Sequence, residues 1–345
     1  MPGSPRVDRH HKRKQPTTTD VDAASPAHKV LETEEIETEE IELVVGIATD
    51  RGGKMNQEDA YFIGGKVVKR LTLNGYSSSA SGCFGVFDGH SGDRASRFCA
   101  ENIFPRILEQ LELEPSVNDA ITNAVRSLDA DFCKIASTSS SSRIAAAAQR
   151  KQRCSFAVED GSTCLVAMIR DGLLHVGNVG DSRAIIVTNM GDAIPMSVDQ
   201  KPNRKDERQR LEAKGAFITG KPDFMYRVWL LKKMLDVPRV NGRLAVSRSI
   251  GDLSLKQWIS CDPEVKTHKL TKRDRFLIMA SDGLWDVVTS KAAAQVAATF
   301  KEPQDVADTL MALALSKRPH DNITVLVVKL EAYAYSSSRT DISSG

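Results

Sequence analysis

The 345-residue sequence predicts an α+β fold. Three observations carry that prediction. Short β-branched and apolar runs recur at 41–48, 60–63, 67–73 and 83–87, the composition of half-buried or buried strands. Two stretches, 93–113 and 117–135, repeat apolar residues every three to four positions, as a helix pair packed on a sheet would. From 264 onward, strands and helices share the chain.

Each later element has its own signal. Strand patterning returns at 162–170, 173–178 and 183–187, with Asp171-Gly172 as a tight turn, and a three-stranded meander is the simplest account. The charged segment 202–214 reads as helix. The stretch 215–238 has no clear period, and 203–238 together read as a flap region. Strands follow at 264–270 and 276–280, helices at 290–300 and 303–317, and a last strand at 323–330. In the second of these helices Val306, Leu310 and Leu313 share a face, and Pro303 suits its first turn. The Ser/Ala-rich, basic stretch 136–153 reads as a flexible insertion, and no internal repeat is evident. Trp229 and Trp285 read as packed apolar rings.

Composition narrows the classes. With 41% hydrophobic residues the chain can bury a large core, and its ordered domain is expected over 41–332. Residues 1–40, basic then acidic, and 333–345 read as disordered tails. A net charge of +2 provides no global field for nucleic acid. The six cysteines are dispersed without a zinc spacing, which fits a reducing compartment. No apolar run approaches the roughly 20 residues that cross a bilayer, and the first residues lack a signal-peptide core. A cytoplasmic protein, probed by no membrane or nucleic acid and monomeric, is the expectation. The basic cluster at 10–14 also fits a nuclear-import signal, though a solvated tail is the simpler reading.

The informative residues are aspartates at strand ends. Asp88 closes FGVFDGH, Asp181 lies in NVGDSRA, Asp282 follows FLIMAS, and Asp321 opens DNITVLVV. A carboxylate just beyond an apolar strand sits at a sheet rim, near water yet against a low-dielectric core. Several converging rims make an oxygen-only site for a hard cation such as Mg²⁺ or Mn²⁺. A lone Asp-Gly is usually a turn. Four such aspartates plus the Glu58-Asp59 pair are a different matter, and His90 beside Asp88 suits a general acid.

The ordered series QEDAYF (57–62), FGVFDGHSG (84–92), GSTCLVAMI (161–169), NVGDSRA (178–184), LAVSRSIGD (244–252), ASDGLWDVV (280–288) and DNITVLV (321–327) resembles the type 2C protein phosphatases over about 41–330. The resemblance implies a four-layer α-β-β-α sandwich of two antiparallel sheets with two Mg²⁺ or Mn²⁺ ions at one end. By it, Asp88, Asp282 and Asp321 hold the first ion; Glu58, Asp88 and the Gly89 carbonyl hold the second; Asp181 with Asp282 holds a weaker third. One position departs from the family, which places Arg where this chain has Lys54. A lysine binds phosphate as a point charge without the planar fork, so Lys54 or the nearby Arg51 is expected to hold the substrate phosphate.

The implied activity is hydrolysis of phosphoserine and phosphothreonine in phosphorylated proteins. Water bridging the two ions, acidified to hydroxide, attacks phosphorus directly, and His90 protonates the leaving oxygen. No CxxxxxR loop surrounds any cysteine, which argues against thiol catalysis. Two rival readings use the same fold: a phosphoprotein-binding pseudophosphatase, for which Lys54 argues, and a phosphohydrolase of small molecules.

Overall fold

Strands that are apolar on both faces build two antiparallel sheets in a computed structural model that describes residues 38–41, 44–72, 75–113, 116–150, 159–220, 237–331 and Tyr333. The first sheet runs in the order β1 (Thr38–Ile41), β3 (Ala60–Thr72), β4 (Gly75–Phe87), β7 (Cys164–Arg170), β8 (Leu173–Val179) and β14 (Glu264–Lys269). The second runs β10 (Ala193–Pro195), β9 (Arg183–Thr188), β15 (Asp274–Ala280), β16 (Ile323–Lys329) and β2 (Val45–Asp50). Short strands β5 (Gly89–His90), β6 (Gly161–Ser162) and β13 (Ile250–Gly251) form a small third sheet. Strands β11 (Ile218–Thr219) and β12 (Arg239–Val240) pair separately.

Alternation along the strands explains the layers. Leu165, Ala167 and Ile169 of β7 meet Leu277 and Met279 of β15 and Leu326 and Val328 of β16 in the core between the sheets. The intervening Cys164, Val166 and Met168 point the other way, onto helices α1 (Arg94–Leu113) and α2 (Val117–Arg150), where Ile103, Ile107, Ile121 and Leu128 cover them. On the second sheet Phe276 and Ile278 face outward, with Ala293 and Ala294 of α5 (Ser290–Ala297) and Val306 and Leu310 of α6 (Pro303–Ser316). Each Leu, Ile, Val, Phe or Met among them contributes about 1.5–3 kcal/mol on burial. The result is the expected four-layer α-β-β-α sandwich. Two shorter helices, α3 (Lys205–Ala213) and α4 (Asp282–Trp285), flank its functional end. Trp285 is buried, its indole donating to the Ala280 carbonyl at 2.9 Å, and Trp229 lies outside the described residues.

The structure departs from the sequence reading in four places. The strands expected at 60–63 and 67–73 are one strand, β3, because β4 pairs with it continuously from Ala60↔Phe87 to Thr72↔Gly75. The expected meander is split. β7 and β8 are a hairpin in the first sheet, but the chain then crosses at Gly180–Ser182, so that β9 pairs with β15 in the second. Helix α2 continues to Arg150 through a stretch that reads as a flexible insertion, an outcome in keeping with the high helix propensity of its alanines. Strand β1 (Thr38–Ile41) starts inside the segment expected to be a disordered tail, and Tyr333, beyond the expected domain limit, is buried in the core between the sheets. The rest of both tails, residues 151–158 and the flap centre at 221–236 lie outside the described residues.

Beside the sandwich, Glu207 of α3 is almost fully buried and accepts from Arg248 Nη2 at 2.7 Å and Arg210 Nη2 at 2.8 Å. Burial opposes its charge, yet the two guanidiniums outweigh that and bring the carboxyl down to about 2. A depressed carboxyl stabilises the fold above its unfolded value and loses that contribution as pH falls towards the folded one. Glu207→Gln is therefore expected to cost about 1–3 kcal/mol at pH 7, and to flatten the acid limb of the stability profile below the ordinary value of 4.5. Urea denaturation at a series of pH values measures both effects.

Candidate metal centre

Asp88 lies at the middle of a group of carboxylates at one end of the sandwich. Burial pushes its carboxyl well above the ordinary range, and the negative fields of Asp59, Asp282, Asp181 and Asp321 push it further. Asp282 is raised in the same way, first by burial and then by Asp181 and Asp286. Like charges gathered in a sheltered site resist ionising together. The aspartates at four different strand ends therefore do converge, as their sequence positions imply.

Neutral hydroxyls and amides fix these groups. The Asp88 N–H donates to Thr163 Oγ1 at 2.9 Å, while the Asp88 carbonyl accepts from the Thr163 N–H at 2.9 Å. Thr163 Oγ1 also lies 2.8 Å from Ser182 Oγ, which ties the DGH turn to the turn carrying Asp181. Asn322, nearly fully buried, accepts from the Glu58 N–H at 2.8 Å and donates to the carbonyls of Arg51 and Asn56, both at 2.9 Å. It moors the 51–58 loop, with Lys54 and Glu58, beside Asp321. Gly89 packs on the Glu58 carbonyl so closely that a Cβ would stand 2.3 Å from that oxygen, and Ser96 Oγ donates to the same carbonyl.

Two ammonium groups border the carboxylates. Lys54 Nζ is 2.8 Å from Asp321 Oδ1 and 4.0 Å from Glu58 Oε2. Burial works against the Lys54 charge, but Asp321 outweighs it and holds the group above its ordinary pKa. Arg51 instead turns its Nη1 to the Met55 carbonyl at 3.1 Å. Lys201 Nζ lies 2.6 Å from Asp181 Oδ2 and 4.0 Å from Asp282 Oδ2, and these carboxylates outweigh burial to raise its pKa. His90 Nε2 contacts both oxygens of Asp252, at 2.9 and 3.0 Å. Burial lowers the imidazole's proton affinity, and Asp252 raises it above the ordinary value on balance.

The structure brings together every residue singled out from the sequence except Arg51, whose guanidinium turns to the Met55 carbonyl and makes no ion pair with a carboxylate among the described residues. It adds four more. Asp59 Oδ2 accepts from Ser281 Oγ and Thr324 Oγ1, both at 2.8 Å, and burial pushes its carboxyl up to about 6. Its signal was present in the Glu58-Asp59 pair. Asp286, one helical turn beyond Asp282, is visible in the spacing of DGLWD, and Asp252 closes the quoted LAVSRSIGD segment, which carries no role of its own; Lys201 gives no local signal. The tightest acidic group elsewhere among the described residues, Asp206, Glu207 and Glu264, is neutralised by Arg204, Arg210 and Arg248, and so has no charge deficit for a cation. The five described cysteines are free thiols.

Comparison with known proteins fits this picture. Residues 44–323 match the family described as protein phosphatase 2C. The chain is 35% identical over 300 residues to probable protein phosphatase 2C 59 of Arabidopsis thaliana, covering 86% of this chain and 84% of that one. It is 35% identical to probable protein phosphatase 2C 69 of the same plant, over 87% of this chain and 73% of the relative. Among solved structures, a serine-threonine phosphatase 2C from Toxoplasma gondii superposes with a TM-score of 0.61 at 23% identity, covering 85% of this chain and 99% of that one. A C. elegans sex determining protein shares the fold at a TM-score of 0.65 and 19% identity, over 84% of this chain and 66% of that one. The chain belongs to the protein phosphatase 2C family and is a metal-dependent protein serine/threonine phosphatase.

Proposed function

We propose that the chain hydrolyses phosphoserine and phosphothreonine by direct attack of water on phosphorus, with no phosphoenzyme, using two Mg²⁺ or Mn²⁺ ions. The observation that carries this reading is the excess of carboxylates around Asp88 over the two ammonium groups, Lys54 and Lys201, that border them. The donor set fits a hard divalent cation: it is all oxygen, and Asp282 Oδ1 is buried without a hydrogen-bond partner among the described residues. Asp88, Asp282 and Asp321 would hold one ion, and Glu58, Asp88 and the Gly89 carbonyl the other. A third ion at Asp181 and Asp282 would compete with the Lys201 ammonium, which is a physical reason for its weakness. Bound there, the ions supply Lewis-acid activation of water and neutralise phosphoryl charge.

The chain's own groups do the rest. Lys54 binds a phosphate oxygen, a reading supported by its position next to Asp321 and Glu58, and Arg51, turned to the Met55 carbonyl, takes no part. His90 gives a proton to the departing serine or threonine oxygen. Phosphorylated proteins are the substrates, and the protein acts as a monomer in the cytoplasm, with the nucleus a second location through its basic cluster, and engages neither nucleic acid nor membrane. No described helix is long and apolar enough to cross a bilayer.

Asp88→Asn and Asp282→Asn are expected to abolish nearly all turnover on a phosphopeptide at limiting Mn²⁺. In EDTA each should raise the melting temperature by about 2–4 °C, because one of several repelling charges is gone. Added Mn²⁺ should then stabilise the wild type and not the variants. Calorimetry with and without Mn²⁺ tests this, and a wild-type-like response of either folded variant would overturn the assignment. Activity should vanish in EDTA and survive iodoacetamide.

Lys54→Ala should lower kcat/KM on one phosphopeptide by about tenfold or more, the loss of one charge-assisted contact. Lys54→Arg should preserve or improve it, since a guanidinium adds a second parallel hydrogen bond. Arg51→Ala should be nearly silent. The reverse ranking of the two alanine variants in steady-state kinetics would transfer the role to Arg51.

A further inference from the structure

We propose that Asp252 is the positioning residue for His90, holding the imidazole in one orientation for proton transfer to the leaving group. The proposal rests on the reading of His90 as proton donor. Asp252 closes the LAVSRSIGD segment, to which the two-ion site assigns nothing.

The geometry is that of a built contact. Asp252 is 3% exposed, and its two oxygens lie 2.9 and 3.0 Å from His90 Nε2. Ser249 Oγ donates to Asp252 Oδ2 at 2.6 Å and fixes the carboxylate plane from the other side. The backbone of Asp252 is left-handed, with φ of 49°, a conformation that Asp adopts more readily than most residues with a Cβ and that its surroundings hold here. Those surroundings are visible: the Gly251 N–H donates to Asp129 Oδ1 at 2.9 Å, the Asp252 N–H to the Asp160 carbonyl at 3.0 Å, and Lys256 Nζ holds Asp129 Oδ1 at 2.7 Å. Gly161 leaves room for the pair, since a Cβ there would stand 2.2 Å from Asp252 Oδ2 and 2.4 Å from His90 Nε2.

The chemistry follows from donor and acceptor counts. An ionised carboxylate only accepts, so His90 Nε2 carries the hydrogen that faces Asp252, and Nδ1 is the nitrogen without a partner among the described residues. In the step, the bond from phosphorus to the serine or threonine oxygen breaks and that oxygen keeps the electron pair. It takes the Nδ1 proton of the imidazolium as the new bond from water oxygen to phosphorus forms. The water proton passes to the medium, from which His90 is recharged, and Nε2–H stays on Asp252 throughout.

Leaving-group dependence separates positioning from a structural role. p-Nitrophenolate leaves without help, whereas a threonine alkoxide needs the proton. In the full chain at saturating Mn²⁺, Asp252→Asn should lower kcat on a phosphothreonine peptide about 10- to 100-fold, and by several-fold less on p-nitrophenyl phosphate. KM and calorimetric Mn²⁺ affinity should be unmoved. The double variant with His90→Ala should be no worse than His90→Ala alone. In the metal-free wild type labelled with ¹⁵N-histidine, the neutral His90 ring should be the Nε2–H tautomer, a readout independent of whether any variant folds. Equal losses on both esters for Asp252→Asn, additivity with His90→Ala, or an Nδ1–H tautomer would each overturn the proposal. If His90→Ala itself loses both esters equally, the proton-donor reading fails first and the proposal falls with it.

Discussion

Repulsion among carboxylates is the constraint around which this end of the molecule is organised. Asp88, Asp59, Asp282, Asp181 and Asp321 raise one another's pKa values or add to that field, so the site stores unfavourable energy that the rest of the fold must bear. The groups that hold them are mostly neutral. Thr163, Ser182, Ser281, Thr324 and Asn322 fix position without cancelling charge. Lys54 and Lys201 pair with Asp321 and Asp181 at the border; a cationic partner for every carboxylate would have relieved the strain and removed the site's affinity for cations at once. The arginine-filled cluster around Glu207 shows that alternative in the same chain: compact, acidic and saturated.

Such an arrangement needs a stiff frame, and the two sheets provide it. Asp88 and Asp181 come from ends of the first sheet, Asp282 and Asp321 from ends of the second. The shared core of Leu165, Ile169, Leu277 and Leu326 fixes the distance between those ends. The crossing at Gly180–Ser182, where the chain leaves one sheet for the other, is also where Asp181 sits. The same turn thus serves topology and chemistry, and Thr163 fastens it to the Asp88 turn.

Much of this was legible in the sequence because strand-end carboxylates and apolar alternation are local patterns. The helix pair, the late strands and the four separated aspartates could all be read from windows of a few residues. Pairing between distant segments could not. Nothing near residue 183 says that β9 belongs to another sheet from β8, since both are equally apolar. Asp252 meets His90 across 162 residues of sequence and Asp59 meets Ser281 across 222, so neither contact has a local signature. The alanine-rich part of α2 was ambiguous for another reason, because one composition suits both a surface insertion and a helix.

The mooring of Glu58 by Asn322 spans 264 residues, and β2 completes its sheet only by pairing with β16. On a ribosome, the loop bearing Lys54 and Glu58 therefore waits for its anchor. At about 5–20 residues per second, the 264-residue interval lasts roughly 13–50 s. Before β15 and β16 emerge, the polypeptide carries Glu58, Asp59, Asp88 and Asp181 without the two strands at whose ends Asp282 and Asp321 lie. A nascent chain that ends before Asn322 lacks both the side chain that holds the Glu58 N–H and the strand that borders β2.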